Sequence, residues 1–240
     1  MRVGIIQSSY VPWRGYFDFI RSVDLFVFYD DVAYSKGSWR NRNQVKTAQG
    51  LKWLTVPVNV HSGETIDAVT IATGGKDWRQ AHEGLIRQSL SDAPYCGDAL
   101  EIWRQAVAAG HSHLSPLNQG FIRAACAYLG IATPIINSRD IPVGGRSTER
   151  LINMLQALGA DRYLSGPSAD AYLDKGMFAK AGIQLEYKTY AYSPYPQSWG
   201  EFAGNVAILD LIAHVGPQAH QHLASQRPDQ VIVPWAATVS

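Results

Sequence analysis

Cysteine is scarce: Cys96 and Cys126 are the two in a chain of 240 residues, too few and too far apart for a disulfide framework or a thiolate-bound zinc. Charge is scarce as well. Only 17% of residues are charged and the net charge is +1, so no general attraction to nucleic acid or to an anionic membrane exists, and any electrostatic effect is local. No apolar run approaches the length of a membrane-spanning helix, and the opening "MRVGIIQSSY" turns polar too soon for a secretory core. These absences lead to the expectation of a soluble, cytoplasmic protein without a tightly bound metal. His111 and His113, and His220 and His222, have no third ligand at metal-site spacing.

Apolar and aromatic residues are plentiful. Hydrophobic residues make up 46% of the chain, enough for one domain over residues 1–240, and seven Trp and twelve Tyr cluster in segments that read as loops. Residues 3–6 and 25–29 are short continuous apolar runs, the pattern of strands buried on both faces, with a short helix at 16–22 between them. Residues 30–50 read as polar and irregular, 52–58 as a strand with Pro57 near an edge, and 67–71 as one more strand. From 77 to 130 the apolar spacing becomes helical, with Pro near the starts and Gly at the ends. Strand and helix then alternate again: strands at 134–138, 162–166 and 183–190, and helices at 147–160, 168–174 and 205–216. Ser147 reads as an N-cap, and the tail from 227 has no clear period. The expected fold class is α/β, a doubly wound, mostly parallel, Rossmann-like sheet with a helical insertion or subdomain at 77–130.

In such a sheet ligands bind beyond the carboxyl ends of the strands. Four segments fall there: 7–16, 30–46, 142–148 and 165–172, and they are expected to converge on one cleft. The first, "QSSYVPWRGY", crowds Tyr10, Trp13, Arg14 and Tyr16 beside Gln7, and reads as a wall around a polar ligand. The second, "YDDVAYSKGSWRNRNQVK", offers Asp30 and Asp31 as general base, then Tyr34, Trp39, Arg40, Asn41, Arg42, Asn43 and Lys46 for a phosphate or carboxylate. If extended, it puts Trp39, Asn41 and Asn43 on one side and Arg40 and Arg42 on the other. In the third, two glycines followed by Arg146, Ser147 and Thr148 at a helix start suggest an anion cradle. The fourth, Ser165, Gly166, Ser168 and Tyr172, lacks a nucleophile elbow and reads as a turn of backbone donors beside a pocket wall. "SPYPQSW" (193–199) reads as a rigid loop closing over the site, with Gln197 as its hydrogen-bonding residue.

The ordered set "VGIIQSSYVPWRGYFDFI", "FYDDVAYSKGSWRNRNQVK", "WLTVPV", "STERL", "RYLSGPSADAYL" and "YPQ" resembles the WbqC-like protein family over nearly the whole chain, with departures at Ser8, Ala33 and Gly37. The resemblance implies a bacterial biosynthetic protein associated with surface polysaccharide and nucleotide-sugar assembly. A weaker architectural similarity is to the nucleotidylyltransferase superfamily, although "PWRGYF" has none of that superfamily's histidines. The leading expectation is a transferase that modifies an amine, on a nucleotide-linked amino sugar or an amino acid, by attack on an activated donor. One alternative is an adenylate-forming ligase or nucleotidylyltransferase using ATP and magnesium at Asp30 and Asp31. The other is a non-catalytic sugar-nucleotide-binding protein. The expected partner is a small molecule with a phosphate or carboxylate, and homodimer formation is left open.

Overall fold

In the computed structural model, which describes residues 1–235, the chain runs β1 (Arg2–Ile6), α1 (Arg14–Arg21), β2 (Leu25–Phe28), β3 (Arg42–Thr47), β4 (Gly50–Thr55), β5 (Val58–Asn59) and β6 (Thr70–Ile71). It continues through α2 (Trp78–Ser89), α3 (Cys96–Ala108), α4 (Leu114–Tyr128), β7 (Ile135–Asn137), α5 (Ser147–Ala157) and β8 (Arg162–Ser165). It ends with α6 (Lys175–Ala181), β9 (Gln184–Tyr187), α7 (Ile208–Val215) and β10 (Gln230–Val233). The fold is mixed α/β. A six-stranded sheet has the order β10-β9-β8-β1-β2-β7 and is parallel except for the β9–β10 pair. Two separate two-stranded sheets, β3–β4 and β5–β6, stand apart from it.

Alternation along the strands divides the core in two. Val3, Ile5, Val27, Tyr163 and Leu185 pack with α5 and α6. Phe26, Phe28 and Leu164 point the other way and join α1, α3, α4 and α7. Gly4 has no alternative residue: a Cβ there would lie 2.4 Å from the Phe19 ring, so α1 packs directly on the backbone of β1. Parallel register, with Ile5 opposite Val27 and Gly4 opposite Leu164, sets the ends of β1, β2, β7, β8 and β9 on one edge of the sheet.

Three local expectations change. Residues 30–50 contain β3, which pairs antiparallel with β4, Asn43 opposite Leu54 and Val45 opposite Lys52. Its polar sequence hid it, because Asn43 and Lys46 are buried and bonded rather than solvated. The tail contains β10, an antiparallel edge strand bound to β9; the part of that tail at 236–240 lies outside the described residues. Ser147 is not the N-cap of α5 but its first residue, at φ +48°, and the cap contact is Arg146 N–H donating to Glu149 Oε2 at 3.4 Å.

Candidate functional site

The loop that leaves β1 is built under strain. Val11 is fully buried at φ +37°, a region β-branched residues avoid, and such strain persists only where neighbours enforce it. Asn43 Nδ2 on β3 enforces it, donating to the Val11 carbonyl at 2.8 Å and to that of Tyr10 at 3.4 Å. Tyr10 N–H donates to the Trp39 carbonyl at 3.1 Å. Ile208 N–H reaches the Pro12 carbonyl and Ala207 N–H the Gln44 carbonyl, both at 2.9 Å. Three distant segments are thus tied around one space. Gly15 lets Trp13 fold back over the start of α1, since a Cβ there would lie 2.3 Å from the indole. The result is a cavity of about 430 Å³ lined by Ser9, Pro12, Trp13, Tyr16, Trp39, Arg40, Asn43, Gln44 and Asn205. A smaller one of about 160 Å³, lined by Gln7, Ala33, Ser35, Ser38, Arg40 and Ile66, shares Arg40 with it.

Arg40 is the junction. Its Nη1 donates to the carbonyl and to Oε1 of Gln7 at 3.0 and 3.2 Å, and it forms no ion pair among the described residues. Burial draws the guanidinium below its ordinary value, opposed by the oxygens of Tyr16, Asp30 and Tyr34, yet a guanidinium stays charged. Tyr16 Oη donates to the same Gln7 carbonyl at 3.0 Å, and burial first, then Asp30, push this phenol well above its usual value. Asn118 of α4, fully buried, holds both loops: its Nδ2 donates to the Arg40 carbonyl at 2.8 Å and to Ser8 Oγ at 3.3 Å.

Asp30 and Asp31 organise the site. Asp30, 4% exposed, accepts from Ser8 N at 2.7 Å, from Ser115 Oγ, and from Gln119 Nε2 at 3.2 Å. Asp31 is ion-paired with Arg150 and accepts from Ser138 Oγ. Every oxygen of the two carboxylates has a hydrogen-bond or ion-pair partner, and the two residues line a separate cavity of about 290 Å³ with Asp67, Gln119, Asn137 and Arg139. Among the described residues no group of three or more His, Cys, Asp or Glu is arranged to hold a metal.

Of the four segments, 7–16 and 30–46 meet. Gln7, Trp13, Tyr16, Trp39, Arg40 and Asn43 line the two cavities. Trp39 and Arg40 share one wall because the chain turns there instead of running extended; the alternation expected of "WRNRN" begins only at Arg42. Arg42 stacks on Trp53 at 4.4 Å, and Trp53 in turn lies 5.6 Å from Trp39, so Arg42 braces the wall from outside. Tyr34 packs half-buried against the core near both arginines.

Other expected ligand residues are structural. Tyr10 is 1% exposed, its hydroxyl bonded to Trp103 Nε1 at 2.9 Å and His82 Nδ1 at 3.0 Å. Asn41 is buried and donates to the Val56 carbonyl. Lys46 is buried at 5% exposure, giving its protons to Gln197 Oε1 at 2.9 Å, the Gly200 carbonyl at 3.3 Å and the Glu201 carbonyl. Gln197 also bonds Asp210 Oδ1 at 2.7 Å, so the 193–199 loop is fastened to β3 and α7, and Asn205 beyond it reaches the cavity instead. Arg146, Ser147 and Thr148 start α5, which packs on the opposite face of the sheet, and Thr148 Oγ1 accepts from Asp174 N. Ser165 is buried with its carbonyl accepting from Lys188 N, Gly166 and Ser168 line neither cavity, and Tyr172 is 70% exposed. The physical reason is the hairpin: β3–β4 folds back over the loop after β1, whereas the β7–α5 and β8–α6 connections serve the other core.

Ser9, Ser35, Ser38, Gln44, Asn205 and Asn118 were missed. Only Asn118 carried a signal, an amide amid the apolar face of Leu114, Leu117, Phe121 and Ile122.

No solved structure matches the chain. The uncharacterized protein Rv1507c of Mycobacterium tuberculosis is 41% identical over 225 residues, covering 92% of this chain and 97% of that protein. No helix among the described residues is long and apolar enough to cross a membrane. The model of the WbqC-like protein family matches residues 7–222, the span that holds the strained loop, Arg40 and Asn205, and the chain belongs to that family.

Proposed function

We propose that the chain is a biosynthetic transferase whose cleft holds a small molecule by its phosphate or carboxylate at Arg40. The observation that carries this is the charge balance: a partly buried guanidinium, standing between two cavities, bonded through its side chain to one neutral residue and, among the described residues, paired with no carboxylate. Such a charge is costly without a counter-charge, and a ligand anion supplies it. The strand order, with helices on both faces, supports a Rossmann-like, doubly wound reading in which the cleft follows the first strand. The reaction we propose is transfer to an amine from an activated donor. With Asp30 and Asp31 engaged, that amine would enter unprotonated, or lose its proton to solvent.

The test is calorimetry with inorganic phosphate, beside incubation of amino-sugar nucleotides with acyl donors read by mass spectrometry. Arg40→Lys keeps the charge and loses the planar fork. Affinity should drop roughly ten- to a hundredfold, as expected for a charge-assisted contact of about 1.5–3 kcal/mol. Arg42→Lys, outside the cavity, should leave affinity unchanged. Unaltered affinity in Arg40→Lys sinks the reading. The engaged carboxylates favour the second reading, a binding protein without turnover, which tight binding without product would establish.

A further inference from the structure

Resting on that reading of Arg40, we infer that the body of the ligand is a neutral, hydroxyl-rich ring: the cleft takes a sugar phosphate, the ring in the larger cavity and the phosphate toward the smaller one. The larger cavity has two indoles in its wall, each braced from behind. Trp13 lies 5.1 Å from Tyr190, and Trp39 lies 5.6 Å from Trp53, on which Arg42 stacks. Flat, fixed apolar faces of this kind suit the C–H faces of a pyranose.

The same cavity is lined by Ser9, Gln44 and Asn205, from three separate segments. Their side chains have no hydrogen-bond partner among the described residues, in contrast to Asn43, whose amide is spent on the loop. The bond from Ala207 N–H to the Gln44 carbonyl ties the segment that carries Asn205 to β3. Hydroxyls and carboxamides both donate and accept, as sugar hydroxyls do. Among the described residues no carboxylate lines the cavity, so an ammonium finds no counter-charge there, and Arg40 is the one cation that lines it, so a second anionic group finds none either. The smaller cavity has the complementary set: the Arg40 guanidinium, the Gln7 amide and the hydroxyls of Ser35 and Ser38, again with no carboxylate among the described residues. That donor set is suited to phosphate oxygens.

The experiment is titration calorimetry of the whole chain with inorganic phosphate, glucose 1-phosphate and AMP, on the wild type, Asn205→Ala and Gln44→Ala/Asn205→Ala. Glucose 1-phosphate should bind at least about tenfold more tightly than phosphate and than AMP. The double variant should lose that advantage and keep its phosphate affinity. Asn205 is exposed, so Asn205→Ala alone retains the fold and should lose part of the advantage if the double variant does not fold. AMP binding more tightly than glucose 1-phosphate, or a glucose 1-phosphate advantage untouched by the substitutions, overturns the ring assignment. If phosphate binds through Arg40 but glucose 1-phosphate binds no better, this inference alone fails. If Arg40→Lys leaves phosphate affinity unchanged, the site reading beneath it fails too.

Discussion

Tyr10→Phe is expected to destabilise the fold by about 2–4 kcal/mol and to leave phosphate affinity unchanged. The Tyr10 hydroxyl is the centre of a buried relay. It accepts Trp103 Nε1–H at 2.9 Å and lies 3.0 Å from Nδ1 of His82. Which of the two atoms donates in that last contact follows the imidazole tautomer. All three side chains are nine-tenths buried or more, at 1%, 2% and 6% exposure for Tyr10, Trp103 and His82. Phenylalanine fills the same space, so no cavity term enters. It strands the indole N–H and one imidazole nitrogen away from water, each at about 1–3 kcal/mol. For a chain of this size the melting temperature should fall by about 2–4 °C per kcal/mol. Urea denaturation of Tyr10→Phe, Trp103→Phe and the double variant would isolate the coupling, since removing both partners spares the indole donor its penalty. A loss below about 1 kcal/mol, or a selective loss of phosphate binding with stability intact, would refute the relay and return Tyr10 to the ligand wall.

The same relay makes stability depend on pH. Burial lowers the His82 pKa to about 4, against about 6.5 unfolded. Above pH 6.5 His82 is neutral in both states and its contribution is complete. Between about 6.5 and 4 the unfolded chain takes up a proton that the folded one refuses, and roughly 3 kcal/mol is lost. Denaturation from pH 7 to 4 should show this slope in the wild type and not in His82→Gln; equal slopes would contradict it. Gly15→Ala should drive the Trp13 ring off α1, where a Cβ would lie 2.3 Å from it, shifting tryptophan fluorescence and weakening glucose 1-phosphate binding by about tenfold; an unchanged affinity would remove Trp13 from the site. Lys188→Met should cost about 3–5 kcal/mol, because Asp18 at 2.9 Å and Asp229 at 3.2 Å lose a buried cation. A loss under about 1 kcal/mol would mean that water or Arg2 replaces it.

Much of the fold was written locally. The apolar runs of β1 and β2 and the helical spacing of α3 and α4 are burial patterns, and burial on both faces is what a helix-covered parallel strand requires. Gln7, Trp13, Tyr16, Trp39 and Arg40, conspicuous in the sequence as polar and aromatic residues crowded into loops, line the two cavities. Residue type could not separate wall from core. Tyr10 and Trp13 are neighbours in one loop, yet the turn at Val11 sends one ring to Trp103 and leaves the other at the cavity. Lys46 and Arg40 are both cations of one segment, but the pairing of β3 with β4 and the 193–201 loop bury the first among carbonyls. Gln44 and Asn205 have no sequence signal at all, since neutral amides are ordinary on any surface. What made them neighbours of Arg40 is the hairpin folding back over the loop after β1, held by backbone bonds between segments far apart in the chain, and no local pattern encodes a contact of that kind.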